Sequence, residues 1–403
     1  MADSDVRRIL SAEDQKRAEM VEGAAFLYSV DSSTFKAKNP EEMEALPYQL
    51  YGAGRPLTSV LYAHDHDVWF DGNLTRSVGI GGVATLPEGR VKGGMRSIFE
   101  ACLPQWYQQG YVFSTLYPFS HHFYRKFGYE LVQKSSYYTV PTASLAPYQN
   151  DEPAALVTDP AQLVSIADAF GKRNNLTIRR KPSQWGFVSK DPYKDVRYTY
   201  KIGEEAYLTF KAKKKPQGGD YTLNVVDLAF VSPQAFRHLL GFIYTLRAQF
   251  DQVEMQLPDS LPMHDMIDEC YDVSQKVTQH GMARVINLQK ALQLMAYPAG
   301  SSGSFTMKVS DPQISQNDGC FKVSFADGKA VSVEKQSDAN ASADLAVDIQ
   351  TATRLTIGSL SISEALYLPG GFDCPHPEKI SSVFTRRDIY FNDGFCFLFQ
   401  RRI

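Results

Sequence analysis

The chain has 403 residues, 43% of them hydrophobic, 12% aromatic and 22% charged, with a net charge of -3. That length exceeds what one hydrophobic core supports, so two or three domains are expected, and the composition excludes wholesale disorder. The near-neutral charge gives no electrostatic reason for nucleic acid or an anionic membrane as the main partner, and no run of about 18 apolar residues offers a membrane span.

The N-terminus carries Asp3, Asp5, Arg7 and Arg8 where a signal peptide needs an apolar stretch, so a cytoplasmic location is expected. Five dispersed cysteines, Cys102, Cys270, Cys320, Cys374 and Cys396, form no CxxC pair and indicate neither a disulfide framework nor a zinc site. A helix is predicted from about residue 12, with Ser11 as its cap and Asp14 three residues later. Residues 58–63 and 68–70 read as strands, Asp71-Gly72 as a turn, and 77–85 as a further strand. After a loop at 87–94, Met95, Ile98, Phe99, Cys102, Leu103, Trp106 and Tyr107 mark one buried helix face. A strand at 111–116, a short helical segment at 123–127 and a strand at 137–140 complete this unit.

Residues 151–283 repeat the plan, with strands at 197–202, 206–211 and 221–230, a helix opened by Ser232 and Pro233, and a strand at 253–257. The connection Val231-Ser232-Pro233 carries no Arg or Gly run, so this second copy is expected to bind no phosphate. Beyond a Pro/Gly/Ser-rich junction at 298–304, strands at 304–310, 320–325, 329–334 and 345–349 and helices at 351–357 and 361–366 predict a small α+β domain. It ends in an apolar stretch, 391–399, and Ile403.

The chemistry concentrates in the first unit. Arg90-Val91-Lys92-Gly93-Gly94-Met95-Arg96 joins a strand to an amphipathic helix. Unpaired amides at a helix N-terminus bind phosphate oxygens where glycine lets the chain come close, so a pyrophosphate fits there. Taken alone, the same residues also fit a glycine-rich turn with solvated Arg and Lys. After the next strand comes Phe123-Tyr124-Arg125-Lys126-Phe127-Gly128-Tyr129. His64-Asp65-His66 offers metal-ligand residue types, but two His on one strand face without a third ligand read as a solvated strand end, and no metal is expected.

Arg-x-x-Gly-Gly after a strand, followed by this tyrosine element, resembles the GNAT superfamily of N-acetyltransferases, and the tripartite layout resembles its Eis (enhanced intracellular survival) branch. The resemblance implies two tandem GNAT-like α/β domains, the first (1–147) active and the second (148–285) degenerate, followed by a sterol-carrier-protein-like α+β domain (286–403). It implies acetyl-CoA as co-substrate, with Val83, Ala84 and Thr85 along its pantetheine arm and Arg90 to Arg96 around its pyrophosphate. Phe119 and Ser120 take the positions that close over the cofactor, although Phe119 and Met95 are both larger than the residues usual there. Tyr124 takes the position of the general acid, and the terminal carboxylate of Ile403 that of the base. The ending Gln400-Arg401-Arg402-Ile403 departs from the acidic and aromatic ending of relatives, and two arginines beside a carboxylate lower its basicity. Phe26, Tyr28, Trp69, His121 and His122 are further candidates for the acceptor cleft. The resemblance also implies an aminoglycoside or polyamine-like acceptor and a homo-oligomer, with a hexamer as the suggested form. A protein lysine or a metabolite amine would be served by the same machinery. A non-enzymatic reading, an apolar-ligand-binding protein with a vestigial GNAT module, is opposed by the intact Arg90 to Gly94.

Overall fold

The computed structural model describes residues 6–31, 33–214, 221–337, 343–370 and 372–392. Strand β1 (Arg7–Arg8) leads into α1 (Ala12–Phe26), where Ser11 Oγ accepts from the Asp14 amide at 3.2 Å as its cap. Asp14 does not return the bond as in a capping box. Its carboxylate is taken by the Arg7 guanidinium at 2.8 and 2.9 Å, which holds its pKa below the usual range.

A short α2 (Pro40–Glu44) and β2 (Tyr48–Ala53) follow, neither of them legible in the sequence pattern. The predicted strands 58–63 and 68–70 are one strand, β3 (Ser59–Phe70), turning at Asp71-Gly72 into β4 (Asn73–Thr85). Then come α3 (Gly94–Gln108), β5 (Phe113–Leu116), α4 (His121–Arg125) and β6 (Glu130–Pro141). Apolar Met95, Ile98, Phe99, Cys102, Leu103 and Trp106 of α3 are buried against this sheet, as their spacing requires.

The second unit contains β7 (Ala154–Leu156), α5 (Val164–Gly171), α6 (Pro192–Asp195), β8 (Arg197–Ile202), β9 (Ala206–Lys214), β10 (Tyr221–Phe230), α7 (Pro233–Thr245), β11 (Phe250–Leu257) and β12 (Ser274–Val285). The two units share one twelve-stranded sheet. Its order, β1-β2-β3-β4-β5-β12-β6-β11-β10-β9-β8-β7, puts the last strand of the second unit between β5 and β6 of the first. Strand β12 pairs antiparallel with both neighbours, and β6 crosses to pair with β11.

The third unit has α8 (Leu288–Leu294), β13 (Ser302–Ser310), β14 (Gly319–Ala326), β15 (Lys329–Lys335), β16 (Leu345–Asp348), α9 (Ile349–Ile357) and β17 (Phe372–Asp373) in a separate five-stranded sheet. Its core runs without a break into that of the first unit, from Phe305, Phe321 and Leu355 to Phe70 and Phe113. No helix among the described residues is long and apolar enough to cross a membrane.

Candidate active site

Strand β4 pairs with β5 in parallel only from Ser77 to Ile80. From Gly81 to Thr85 that edge has no strand partner among the described residues, while the other edge stays on β3. Opposite Leu61 the ladder carries one extra β4 residue, a bulge at Gly82 and Val83 where Gly82 adopts φ +56°. A side chain there would strike the Tyr62 ring at 2.3 Å, so glycine meets both a conformational and a steric demand. The bulge falls just beyond the point where β4 and β5 part, so Val83, Ala84 and Thr85 follow it along the edge that β5 leaves open. Val83 packs toward α3, Ala84 toward α1, and Thr85 Oγ1 shares a hydrogen bond with Ser59 Oγ at 3.0 Å.

The strand runs through a single 3-10 turn (Pro87–Gly89) into the loop ahead of α3. Gly93 is the N-cap in the left-handed region (φ +84°), with open space where its Cβ would lie, and Val91 is also left-handed (φ +58°) and fully exposed. A Cβ on Gly94 would stand 2.6 Å from Ser59 Oγ, so only glycine lets the helix start this close to β3. The first-turn amides of Gly94, Met95 and Arg96 have no intrahelical acceptor, and no acidic residue occupies that turn. Arg90, Lys92 and Arg96 are exposed, and none is paired with a carboxylate among the described residues. Met95 points inward and is buried beside Ile98 and Phe99, so its size does not obstruct the amides. Three unpaired cations around three unpaired amides form a cradle that fits a pyrophosphate.

Helix α3 also supports Tyr124. Phe99, one turn beyond Met95, meets the Tyr124 ring edge-on at 6.2 Å, and Phe123 and Phe119 approach it at 5.1 and 5.4 Å. Tyr124 is 2% exposed, and its hydroxyl makes no hydrogen bond among the described residues. Burial, with a smaller contribution from Tyr129, raises its pKa well above the ordinary tyrosine value, so it holds its proton at neutral pH. Ser120 caps α4, accepting from the Phe123 amide at 3.3 Å, and Phe119 lies exposed over the aromatic cluster. His121 is half-buried with an Nε2 that has no partner among the described residues; His122 is exposed.

The turn after α4 is anchored from outside the first unit. Arg284 of β12 donates from Nη1 to the Phe127 carbonyl at 2.6 Å and from Nη2 to both oxygens of Asp311, each at 2.7 Å. Both side chains of this ion pair are wholly buried. Gln350, at the start of α9, donates to the Arg125 carbonyl at 3.0 Å. Neither partner was legible in the sequence, because both lie more than 150 positions from Tyr124 and no local motif marks them.

The acceptor-cleft candidates separate. Phe26 and Tyr28 stand at the end of α1, half-buried, and Tyr28 donates to Glu22 Oε2 at 3.3 Å. Trp69 lies elsewhere: it is seven residues along β3 from Tyr62, roughly 23 Å in an extended strand. There it packs on Gly171 and beneath Lys172 of the second unit, which removes it from the cleft. His64 and His66 are not at a solvated strand end. Their rings stack at 6.0 Å on one buried face of β3, where burial lowers their pKa values to about 3 and about 4. Among the described residues no group of three His, Cys, Asp or Glu is placed to hold a metal ion. A cavity of about 370 Å³ lies toward the other end of β3 and β4, where Asp65 takes ion pairs from both Arg76 and Lys181.

The second unit reproduces the scaffold without the cradle. Strand β10 pairs in parallel with β11 only as far as Asn224 and carries its own bulge between Val225 and Asp227. The residue beyond that bulge is tied up: Asp227 pairs with buried Arg180 at 2.6 Å and accepts from Tyr207 at 2.6 Å. Ser232 caps α7 directly, and Arg173 donates to the Phe230 and Val231 carbonyls across the connection. Of the apolar stretch 391–399 only Phe391, which is buried, and Asn392 are described; the rest of it and Ile403 lie outside the described residues.

Comparison with known proteins agrees with this architecture. Residues 8–132 match the family model of an Acetyltransferase (GNAT) domain, residues 176–285 match a second such model, and residues 288–391 match that of the Sterol carrier protein domain. No curated protein matches the chain in sequence. Among solved structures, a GCN5-related N-acetyltransferase from Anabaena variabilis ATCC 29413 superposes with a TM-score of 0.81 at 22% identity, over 96% of this chain and 99% of that one. Eis1 from Mycobacterium abscessus gives 0.79 at 18% identity, over 96% and 99%. A GCN5-related N-acetyltransferase from Kribbella flavida gives 0.76 at 17%, over 97% and 98%. The chain thus carries two GNAT acetyltransferase domains followed by a sterol carrier protein domain, and over nearly its whole length it shares the fold of Eis1 from Mycobacterium abscessus.

Proposed function

We propose that the chain transfers acetyl from acetyl-CoA directly to an amine, an aminoglycoside or polyamine-like molecule being the acceptor that the Eis resemblance favours. The observation that carries the reading is the cradle of free amides and unpaired cations at 90–96, at the end of the open β4 edge, together with the hydroxyl of buried Tyr124, which makes no hydrogen bond among the described residues. The residues fit the co-substrate. Arg90, Val91, Lys92, Gly93, Gly94, Met95 and Arg96 would hold its pyrophosphate through amides and charge, Val83 to Thr85 its arm through the unpaired strand edge, and Phe119 with Ser120 would cover it. Bound acetyl-CoA supplies an activated thioester and a thiolate leaving group.

The chain's own groups do the rest. The Val83 amide at the bulge is the group we assign to polarise a carbonyl oxygen as negative charge develops on it. Tyr124, kept protonated by burial, donates to the departing sulfur, whose thiol pKa near 8.5 asks only for a weak acid. The rings of Phe119 and Phe123 pack around the phenol and fix its orientation for that transfer. We assign the Ile403 carboxylate the part of drawing the acceptor's ammonium into the cleft. The protein is further proposed to act in the cytoplasm and as a homo-oligomer, a hexamer being the form in view, with no nucleic acid among its partners.

Thiol release from acetyl-CoA, followed across aminoglycosides, polyamines, lysine peptides and simple aryl amines, tests the reading. Release with one class establishes the reaction and its acceptor. No release from any class, with no binding of acetyl-CoA, would sink it.

A further inference from the structure

Strand β5 ends at Leu116, and the sheet opens beyond it. Ile80 of β4, Leu116 and Met282 of β12 stand side by side in one row, so the strands flanking β5 are two inter-strand spacings apart there, roughly 10 Å. Past that row β4 and β12 both continue, with no strand between them among the described residues. Two residues further along β4 comes the bulge at Gly82 and Val83. Two residues further along β12 is His280, and this second lip bulges as well. Its ladder with β6 steps from Gln279 opposite Lys134 to Gly281 opposite Gln133, which leaves His280 without a partner on β6. A bulge re-aims a side chain and is common beside active sites.

His280 is half-buried, its ring set edge-on to those of Tyr117 at 6.4 Å and Tyr137 at 6.2 Å. Neither ring nitrogen makes a hydrogen bond among the described residues, so neither has a partner to give up before it takes a proton. Tyr117 packs with the cluster shared with the third unit, whereas Tyr124 belongs to the cluster under α3. Adjacent Met282 and Ala283 divide between the same two clusters, as alternation along a strand requires, so these are opposite faces of the sheet. Tyr124 and His280 therefore approach the opening from opposite sides. The titratable groups that face the imidazole among the described residues are Tyr117, Tyr137 and, on its own strand, Lys276. Burial and then the Lys276 charge lower its pKa, which leaves the ring neutral and able to accept a proton at pH 7.

Resting on the acetyl-transfer reading above, we infer that His280 is the catalytic base, taking the proton from the acceptor nitrogen as it attacks. An acceptor that arrives as an ammonium first gives one proton to water. The nitrogen lone pair then forms the bond to the carbonyl carbon, and the surplus proton on nitrogen passes to a ring nitrogen of His280. As the carbon–sulfur bond breaks its electron pair goes to sulfur, which takes the Tyr124 proton. Water carries a proton from His280 back to Tyr124, so a neutral amine is acetylated with no net release. The second unit, which has no cradle of its own, thereby supplies the base to the unit that holds the co-substrate.

The test uses the full chain with the acceptor that gives the fastest thiol release. His280→Gln stays polar but cannot take a proton. It should lower kcat by about 100-fold or more, with the acetyl-CoA dissociation constant from calorimetry and the thermal midpoint unchanged. Wild-type kcat should fall as the pH drops below about 6.5, where the imidazole becomes protonated, and His280→Gln should lack that fall, a difference that lost packing does not produce. Wild-type kcat in a folded His280→Gln would overturn the assignment. So would a slower variant with a lowered thermal midpoint and the wild-type pH profile, which would make His280 structural. If the variant does not fold, a wild-type kcat that stays level from about pH 7.5 to about pH 5 would overturn it instead. Loss of turnover on adding one glycine after Ile403, with His280→Gln fully active, would pass the role of base to the terminal carboxylate. A wild-type chain silent on every amine would overturn the transferase reading, and this assignment with it.

Discussion

Asp311→Asn should destabilise the protein far more than its conservative chemistry suggests. Among the described residues Asp311 is the one carboxylate bonded to Arg284, both side chains have no exposed surface, and both carboxylate oxygens are engaged at 2.7 Å. Neutralising it leaves an uncompensated guanidinium in the interior, a change that typically costs about 3–5 kcal/mol. For a cooperative unit of roughly 150–250 residues each kcal/mol moves Tm by about 2–4 °C, so a fall of about 6–20 °C is expected. Differential scanning calorimetry of the full chain measures it. The double variant Arg284→Met with Asp311→Leu separates charge burial from positioning. It should recover only part of the lost stability: the buried charge is gone, but the Gln313 and Ile314 amides and Asn317 Nδ2, which also donate to Asp311, lose their acceptor. Turnover should remain low, because the Phe127 carbonyl has lost its donor and the turn that follows Tyr124 is no longer pinned. A Tm shift below about 2 °C for Asp311→Asn, or full activity in the double variant, would refute this reasoning.

Tyr124→Phe should lower kcat by about 10²–10⁴-fold while leaving the acetyl-CoA dissociation constant unchanged, as read by stopped thiol-release assays and calorimetry. Gly94→Val should raise the KM for acetyl-CoA, because the new side chain meets Ser59 Oγ at 2.6 Å and pushes α3 off the strand. Arg90→Ala and Lys92→Ala should each weaken acetyl-CoA binding by about tenfold, the size of one charge-assisted hydrogen bond, with kcat little changed at saturation. Stability should fall as the pH drops from about 6.5 toward 4. His64 and His66, lowered by burial to about 3 and about 4, stay neutral in the folded chain while the unfolded chain binds protons below its ordinary value near 6.5. The slope should approach about 1.4 kcal/mol per pH unit for each ring, and His66→Gln should flatten thermal midpoints measured across that window.

What the sequence made legible was local. The 3.6-residue period of Met95 to Trp106, the caps at Ser11 and Ser232, and the glycines and cations of 90–96 each act within one element, and each stands where its spacing requires. The bulge of β4 was not legible, because three glycines in a strand of small residues do not reveal which of Gly79, Gly81 and Gly82 takes the left-handed conformation; Gly82 does so, and Tyr62 closes over it. Strand β12 escaped notice since its polar start, Ser274 to His280, mimics a loop and finds its partners only across the domain boundary. Trp69 looked like a cleft aromatic and proved to be interface packing, a distinction set by Gly171 a hundred positions away. Glu22 drew no attention because one glutamate in a charged helix reads as solvated, and only the tertiary contact with Tyr62 makes it buried.

The place of β12 in the shared sheet dictates an order of manufacture. The ribosome finishes β6 long before it reaches β12, and at ~5–20 residues per second the interval between residues 141 and 285 is roughly 7–30 s. Throughout that time β5 and β6 have no strand between them, so the nascent N-terminal unit holds two raw sheet edges that invite wrong partners. A chaperone that shields this unit until residue 285 emerges would therefore set the yield of active protein, and a fragment stopped at residue 147 would be an aggregation substrate rather than a minimal enzyme.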